Sequence, residues 1–79
     1  MSEGSRKLLS TLMVLGAQSQ GKAISLEELA TKLGTGVHEL QRELDSLAKA
    51  GYAVMTRQDG RVKVYLTGTG VITASSAYS

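Results

Sequence analysis

The chain has 79 residues, of which 42% are apolar and 20% charged, with a formal net charge of +2; this is the balance of a globular protein and excludes a disordered chain. Cysteine is absent, which excludes disulfide staples, thiolate metal sites and a thiol nucleophile. The longest apolar run, Leu12 to Leu15, is far too short to span a bilayer, and the N-terminus lacks the apolar stretch and cleavage site of a secretory signal, so a soluble protein of the cytoplasm is expected.

A chain of this length buries only about 60% of the surface it exposes when unfolded, so its core is expected to be thin and open to cover by a partner subunit. Residues 6–20 read as a first helix because Leu8, Leu12 and Leu15 recur at i, i+4 and i+7, with Leu9 and Met13 beside them. Ser5 is its expected N-cap and Gly21 its stop, which leaves Gly16 as an interior glycine permitting close packing. Val14 widens the apolar arc, which suits either a face covered within the monomer or one turned to a second subunit.

Residues 23–25 form a short extended bridge with Ile24 inward. In Ser25-Leu26-Glu27-Glu28 a serine is followed three residues later by a glutamate, the pattern of a capping box. The helix that follows buries Leu26, Leu29, Ala30 and Leu33 and stops at Gly34. After Gly34-Thr35-Gly36 a further helix runs over residues 37–50, with Leu40, Leu44 and Leu47 on its buried stripe and Gly51 as its stop. Two short helices joined by a tight glycine-containing turn make a helix-turn-helix over residues 25–50.

Residues 52–67 hold Asp59-Gly60 between two runs rich in Val, Tyr and Thr, a hairpin signal, since both turn positions need positive φ. A turn of just those residues pairs Gln58 with Arg61, Arg57 with Val62 and Met55 with Val64. Ala53, Met55, Val62, Val64 and Leu66 then face the helices, with Arg57 on that side near the tip. Residues 68–79 leave two readings open. Thr67 caps a short helix with Val71, Ala74 and Tyr78 on one face, or the poor helix propensity of the serines and β-branched residues leaves a frayed tail. No second domain or linker is visible, so one domain over residues 1–79 is expected, α+β in class: three helices, a short strand, a two-stranded hairpin wing and a possible short C-terminal helix.

This order of elements resembles the winged helix-turn-helix regulators of bacteria and archaea of the MarR-like and ArsR-like kind. Leu26-Glu27-Glu28-Leu29-Ala30-Thr31-Lys32-Leu33-Gly34 looks like the first helix of their helix-turn-helix. Leu40, Leu44, Leu47 and Ala50-Gly51-Tyr52 fall where their recognition helix and its exit have apolar residues and a glycine. Val64-Tyr65-Leu66-Thr67 followed by Gly70 looks like the end of their wing.

The resemblance implies double-stranded DNA as partner, with the helix 37–50 in the major groove and the wing on flanking DNA. Its apolar stripe then turns Thr35, His38, Gln41, Arg42 and Asp45 away from the core. Arg42 suits guanine, Gln41 adenine, and Thr35 with the amides after Gly36 a phosphate. Arg57, Arg61 and Lys63 make a positive field about the hairpin, and Lys32, Arg6 and Lys7 are further candidates for backbone contact. Against this, Glu39, Glu43 and Asp45 repel phosphates wherever they approach them, so a solvated helix face or a protein-interaction winged helix in a larger complex stays open as the alternative. So does an architectural nucleic-acid protein without sequence preference.

His38 is the only histidine, so no metal ligand set is expected; no cofactor and no catalytic constellation is read either. A homodimer through the first helix, the C-terminal segment or both would present two reading helices to half-sites roughly 34 Å apart.

Overall fold

A computed structural model describes residues 2–78, with side chains described through Ser76. In chain order the elements are α1 (Glu3–Val14), a single 3-10 turn (Gln20–Lys22), β1 (Ile24–Ser25), α2 (Leu26–Leu33), α3 (Val37–Lys49), β2 (Ala53–Gln58), β3 (Arg61–Leu66) and α4 (Gly68–Tyr78).

The hairpin follows from its turn. Asp59 and Gly60 both have positive φ, 55° and 76°, the type I′ geometry whose twist matches the flanking strands. Such a turn fixes the ladder from Gln58 with Arg61 to Ala53 with Leu66. Alternation then buries Ala53, Val64 and Leu66 and packs Met55 and Val62 against the core, while Arg57, on that same side, projects past the core's edge and is exposed. The bridge of residues 23–25 is more than a connection. Ile24 pairs with Val64 and Ser25 with Lys63, giving a three-stranded antiparallel sheet in the order β1-β3-β2.

The helix-turn-helix is built from its caps. Ser25 Oγ accepts from the amide of Glu28 at 3.2 Å and starts α2. Gly34, in the left-handed region at φ 66°, ends it; the Thr35 amide reaches back to the Ala30 carbonyl and that of Gly34 to Thr31, the paired bonds of a Schellman turn. Leu26, Leu29 and Ala30 of α2 and Leu40, Leu44 and Leu47 of α3 meet Leu8, Leu9 and Leu12 of α1 in one core, with Leu33 at its margin.

The first helix differs at both ends from the expected 6–20. Ser2, not Ser5, is its N-cap, accepting from the Ser5 amide. Gly16, not Gly21, is its stop: at φ 75° it lets the Ala17 amide bond the Leu12 carbonyl and its own amide bond Met13. The reason lies downstream. Ala17 is buried, and its carbonyl accepts from the Leu66 amide at 2.7 Å, so the chain must leave the helix there to reach the sheet. Leu15, expected on the buried stripe, is consequently an exposed C-cap residue.

Residues 68–78 are a docked helix. Thr67 Oγ1 accepts from the Gly70 amide and donates to the Gly51 carbonyl at 2.7 Å, tying the start of α4 to the end of α3. Ala74 is buried and Val71 packs against the core, so tertiary contact overrides the weak propensity. Tyr78, placed on the same face by the sequence, lies outside the described side chains.

Gly70 is the closest approach in this arrangement, since a Cβ there would overlap the backbone carbonyl of Tyr52. Backbone cannot swing aside as a side chain can, so Gly70→Ala is expected to lower stability by about 2 kcal/mol, as overpacking typically does, and the melting temperature by roughly 10 °C. Gly68→Ala, which meets nothing within 4 Å, is expected to be neutral or stabilising. Thermal and urea unfolding of the two variants check this, and equal losses would contradict it.

Candidate nucleic-acid interface

Burial of Leu40, Leu44 and Leu47 fixes the rotation of α3. At 3.6 residues per turn the side opposite that stripe carries His38, Gln41, Arg42 and Asp45. All of these are exposed, and with Glu39 they border a shallow concavity of about 480 Å³. Gly36, the N-cap of α3, supplies no side-chain bond to the first amides of the helix, which leaves its positive end free of a side-chain cap.

The acids of α3 are divided between two sides. Glu39 and Glu43, one turn apart, border a second concavity of about 160 Å³ with Gly4, Lys7 and Thr35. The Glu43 carboxylate sits so close to α1 that a Cβ on Gly4 would lie 2.7 Å from its Oε1. A carboxylate over the first turn of a helix is stabilised by the amide dipoles there. Glu39 accepts a hydrogen bond from Thr35 Oγ1 at 3.2 Å. Asp45 is the acid opposite the buried stripe, and Glu39 borders both concavities.

Thr35 therefore does not lie with His38, Gln41 and Arg42: it is half-buried, its hydroxyl is engaged by Glu39, and it faces the α1 side. The wing residues also separate. Arg57 stands opposite Val62 and shares the core-side face, whereas Arg61 and Lys63 lie on the other face by the period of the strand. Arg61 is exposed and Lys63 half-buried; they border a cleft with Lys22 and Lys32. Of the further candidates, Arg6 is exposed on α1 and Lys7 lies in the concavity with Glu43. Lys22 escaped the sequence reading because its proximity to Lys63 depends on the two-residue strand β1, which has no periodicity to detect.

Among the described residues no group of three or more His, Asp or Glu side chains is placed to hold a metal ion, and no helix is long and apolar enough to cross a membrane.

No family model and no curated protein sequence matches the chain. Solved structures do. The C80S mutant of MarR from Escherichia coli, crystallised with operator DNA, superposes with a TM-score of 0.83 at 22% identity, over 99% of this chain and 54% of that one. TubR from Bacillus megaterium pBM400 gives 0.90 at 20% identity, over 99% and 87%. A protein of Ralstonia eutropha JMP134 assigned to DNA binding gives 0.85 at 25% identity, over 100% and 99%. The chain thus spans about half the length of MarR and nearly the whole of the other two. Four helices around a three-stranded sheet with a hairpin wing, in this order and superposing this well, make the fold the winged helix-turn-helix of MarR-like regulators.

Proposed function

We propose that this chain is one winged-helix domain that binds double-stranded DNA as a sequence-specific transcriptional regulator of the cytoplasm, by binding and not by catalysis. The observation that carries the reading is the outward side of α3: His38, Gln41 and Arg42 share it with Asp45 and the edge of Glu39, while Glu43 is drawn to α1. Of the three acids that weigh against phosphate contact, Glu43 is directed to α1, Glu39 borders both sides with its carboxylate bonded by Thr35, and Asp45 stays on the outward side. MarR, whose fold this chain shares, was crystallised with operator DNA, which supports the same reading.

In this reading α3 enters the major groove, Arg42 reads guanine through its two-pronged donor set, and Gln41 reads adenine. His38 and the uncapped first amides of α3 meet the phosphate backbone, and Thr35, held by Glu39 on the α1 side, is left out of that contact. Arg57, Arg61 and Lys63 carry the wing's contact to flanking DNA. The proposed assembly is a homodimer through α1 and α4, on which Val14 and Ile72 are 66% and 70% exposed; apolar side chains this open on packed helices suit a second copy.

Selection from a random duplex pool, followed by fluorescence anisotropy, tests the reading. Arg42→Ala is expected to weaken the selected site by about 1–3 kcal/mol and to relax preference at one base pair, whereas Arg57→Ala and Arg61→Ala weaken all duplexes alike and reduce the salt slope by about one. Absence of duplex binding at micromolar protein and low salt would sink the proposal in favour of a protein-interaction role. Binding with no preference among sequences would favour an architectural one.

Sedimentation equilibrium tests the assembly separately. Twice the chain mass of 8.3 kDa is expected, and Val14→Asp with Ile72→Asp is expected to return the monomer. A monomer for the unmodified chain at tens of micromolar would overturn the homodimer.

A further inference from the structure

The chain has nine Lys and Arg against seven acids, yet Lys22, Lys32, Arg61 and Lys63 all border one cleft of about 340 Å³, in which Glu28 is the single acid. That cleft holds a net three positive charges, and the rest of the chain is net negative by one. The positive charge of this protein is a local property.

The cations come from separate segments that the fold ties together. Pairing of Ser25 with Lys63 sets the start of α2 beside β3. Gln58 Nε2 donates to the Gln20 carbonyl at 2.9 Å, holding the 3-10 turn that carries Lys22 against the hairpin. Glu28 and Lys32 lie one turn apart on α2, and Leu15, Ala23 and Ile24 line the same cleft with apolar surface. Glu28 is one carboxylate among four cations, which leaves an uncompensated local positive charge. A bound polyanion compensates it.

We propose that this cleft binds successive phosphate groups of a polyanion, held by Lys22, Lys32, Arg61 and Lys63, with Glu28 limiting the affinity. Closely spaced phosphates occur in the backbone of a duplex and in free nucleoside polyphosphates. The duplex source rests on the DNA-binding reading above, and the free-phosphate source does not. In either case the cleft holds phosphates without reading bases, a task distinct from that of Arg42.

Two titrations on the full chain test this, one with inorganic tripolyphosphate and ATP by calorimetry, the other with duplex DNA by anisotropy over a salt series. Glu28→Gln keeps the helix cap, because its backbone amide and not its side chain bonds Ser25; thermal unfolding checks that all variants fold. Glu28→Gln is expected to tighten phosphate binding about threefold or more, and Lys22→Gln and Lys32→Gln to weaken it. On duplex each lysine variant is expected to lower the salt slope by about 0.9 with base preference unchanged. A response in the calorimetric arm alone assigns the cleft to free polyphosphate, and one in the duplex arm alone assigns it to the DNA backbone. Duplex binding that none of the three variants alters, with no tripolyphosphate response, overturns the cleft and leaves the DNA reading standing. Tripolyphosphate binding that the variants alter, with no duplex bound by the parent chain, does the reverse.

Discussion

The position on which this molecule depends is Val64. It is fully buried at the middle of β3 and is paired on one side with Ile24 and on the other with Met55, so it joins the helix-turn-helix to the wing. Because side chains alternate along a strand, burying Val64 also buries Leu66 and commits Arg61, Lys63 and Tyr65 to the opposite face. A slip of one residue would bury lysine and expose valine, which the core does not tolerate. One apolar contact therefore fixes the rotation of the wing, the location of its cations and, through Ser25, the point at which α2 begins.

A second constraint is the shared use of glycine stops. Gly16, Gly34 and Gly51 each sit at positive φ beyond a helix, with the following residue's amide returned to a carbonyl in the last turn. The reversals are short enough that Ala17, Thr35 and Tyr52 leave their helices already directed at the next contact. Ala17 meets Leu66, and the Tyr52 carbonyl accepts from Thr67 at 3.0 Å, beside the glycine of α4 that leaves room for it. A thin core of leucines is in this way braced by backbone bonds between the ends of its elements.

How far the sequence discloses this arrangement depends on whether a signal is local. The hairpin was legible to the residue, because Asp59-Gly60 admits one turn and one ladder. Helices α2 and α3 were legible from serine, glycine and leucine spacing. The ends of α1 were not, since a glycine inside a helix and a glycine ending one look alike until the burial of Ala17 distinguishes them. For α4 the sequence leaves two readings open, a Thr67-capped helix with Val71 and Ala74 on one face or a frayed tail, and the choice between them is made by the Thr67 bonds, the burial of Ala74 and the contact at Gly70. At the candidate site the outward residues of α3 followed from the leucine stripe. Engagement of Thr35 by Glu39, the turning of Glu43 toward α1, and the gathering of Lys22 with Lys63 all arise between segments distant in sequence or on flexible side chains, where spacing carries no information.

These separations change what weak overall charge implies. A net +2 spread evenly over 79 residues would give little attraction for a polyanion, and the acids on α3 would cancel much of it. Here Glu43 lies over α1, Glu39 borders both sides of α3, and the cations Lys22, Lys32, Arg61 and Lys63 border one cleft between the start of α2 and β3. Attraction between charges falls with distance and with screening over roughly 10 Å at ordinary salt, so a phosphate at the cleft responds to the local charge and not to the total. Holding and reading can thus be served by different elements, with the wing cleft supplying field and α3 supplying hydrogen-bonding groups in fixed orientation, and neither requires a strongly basic helix.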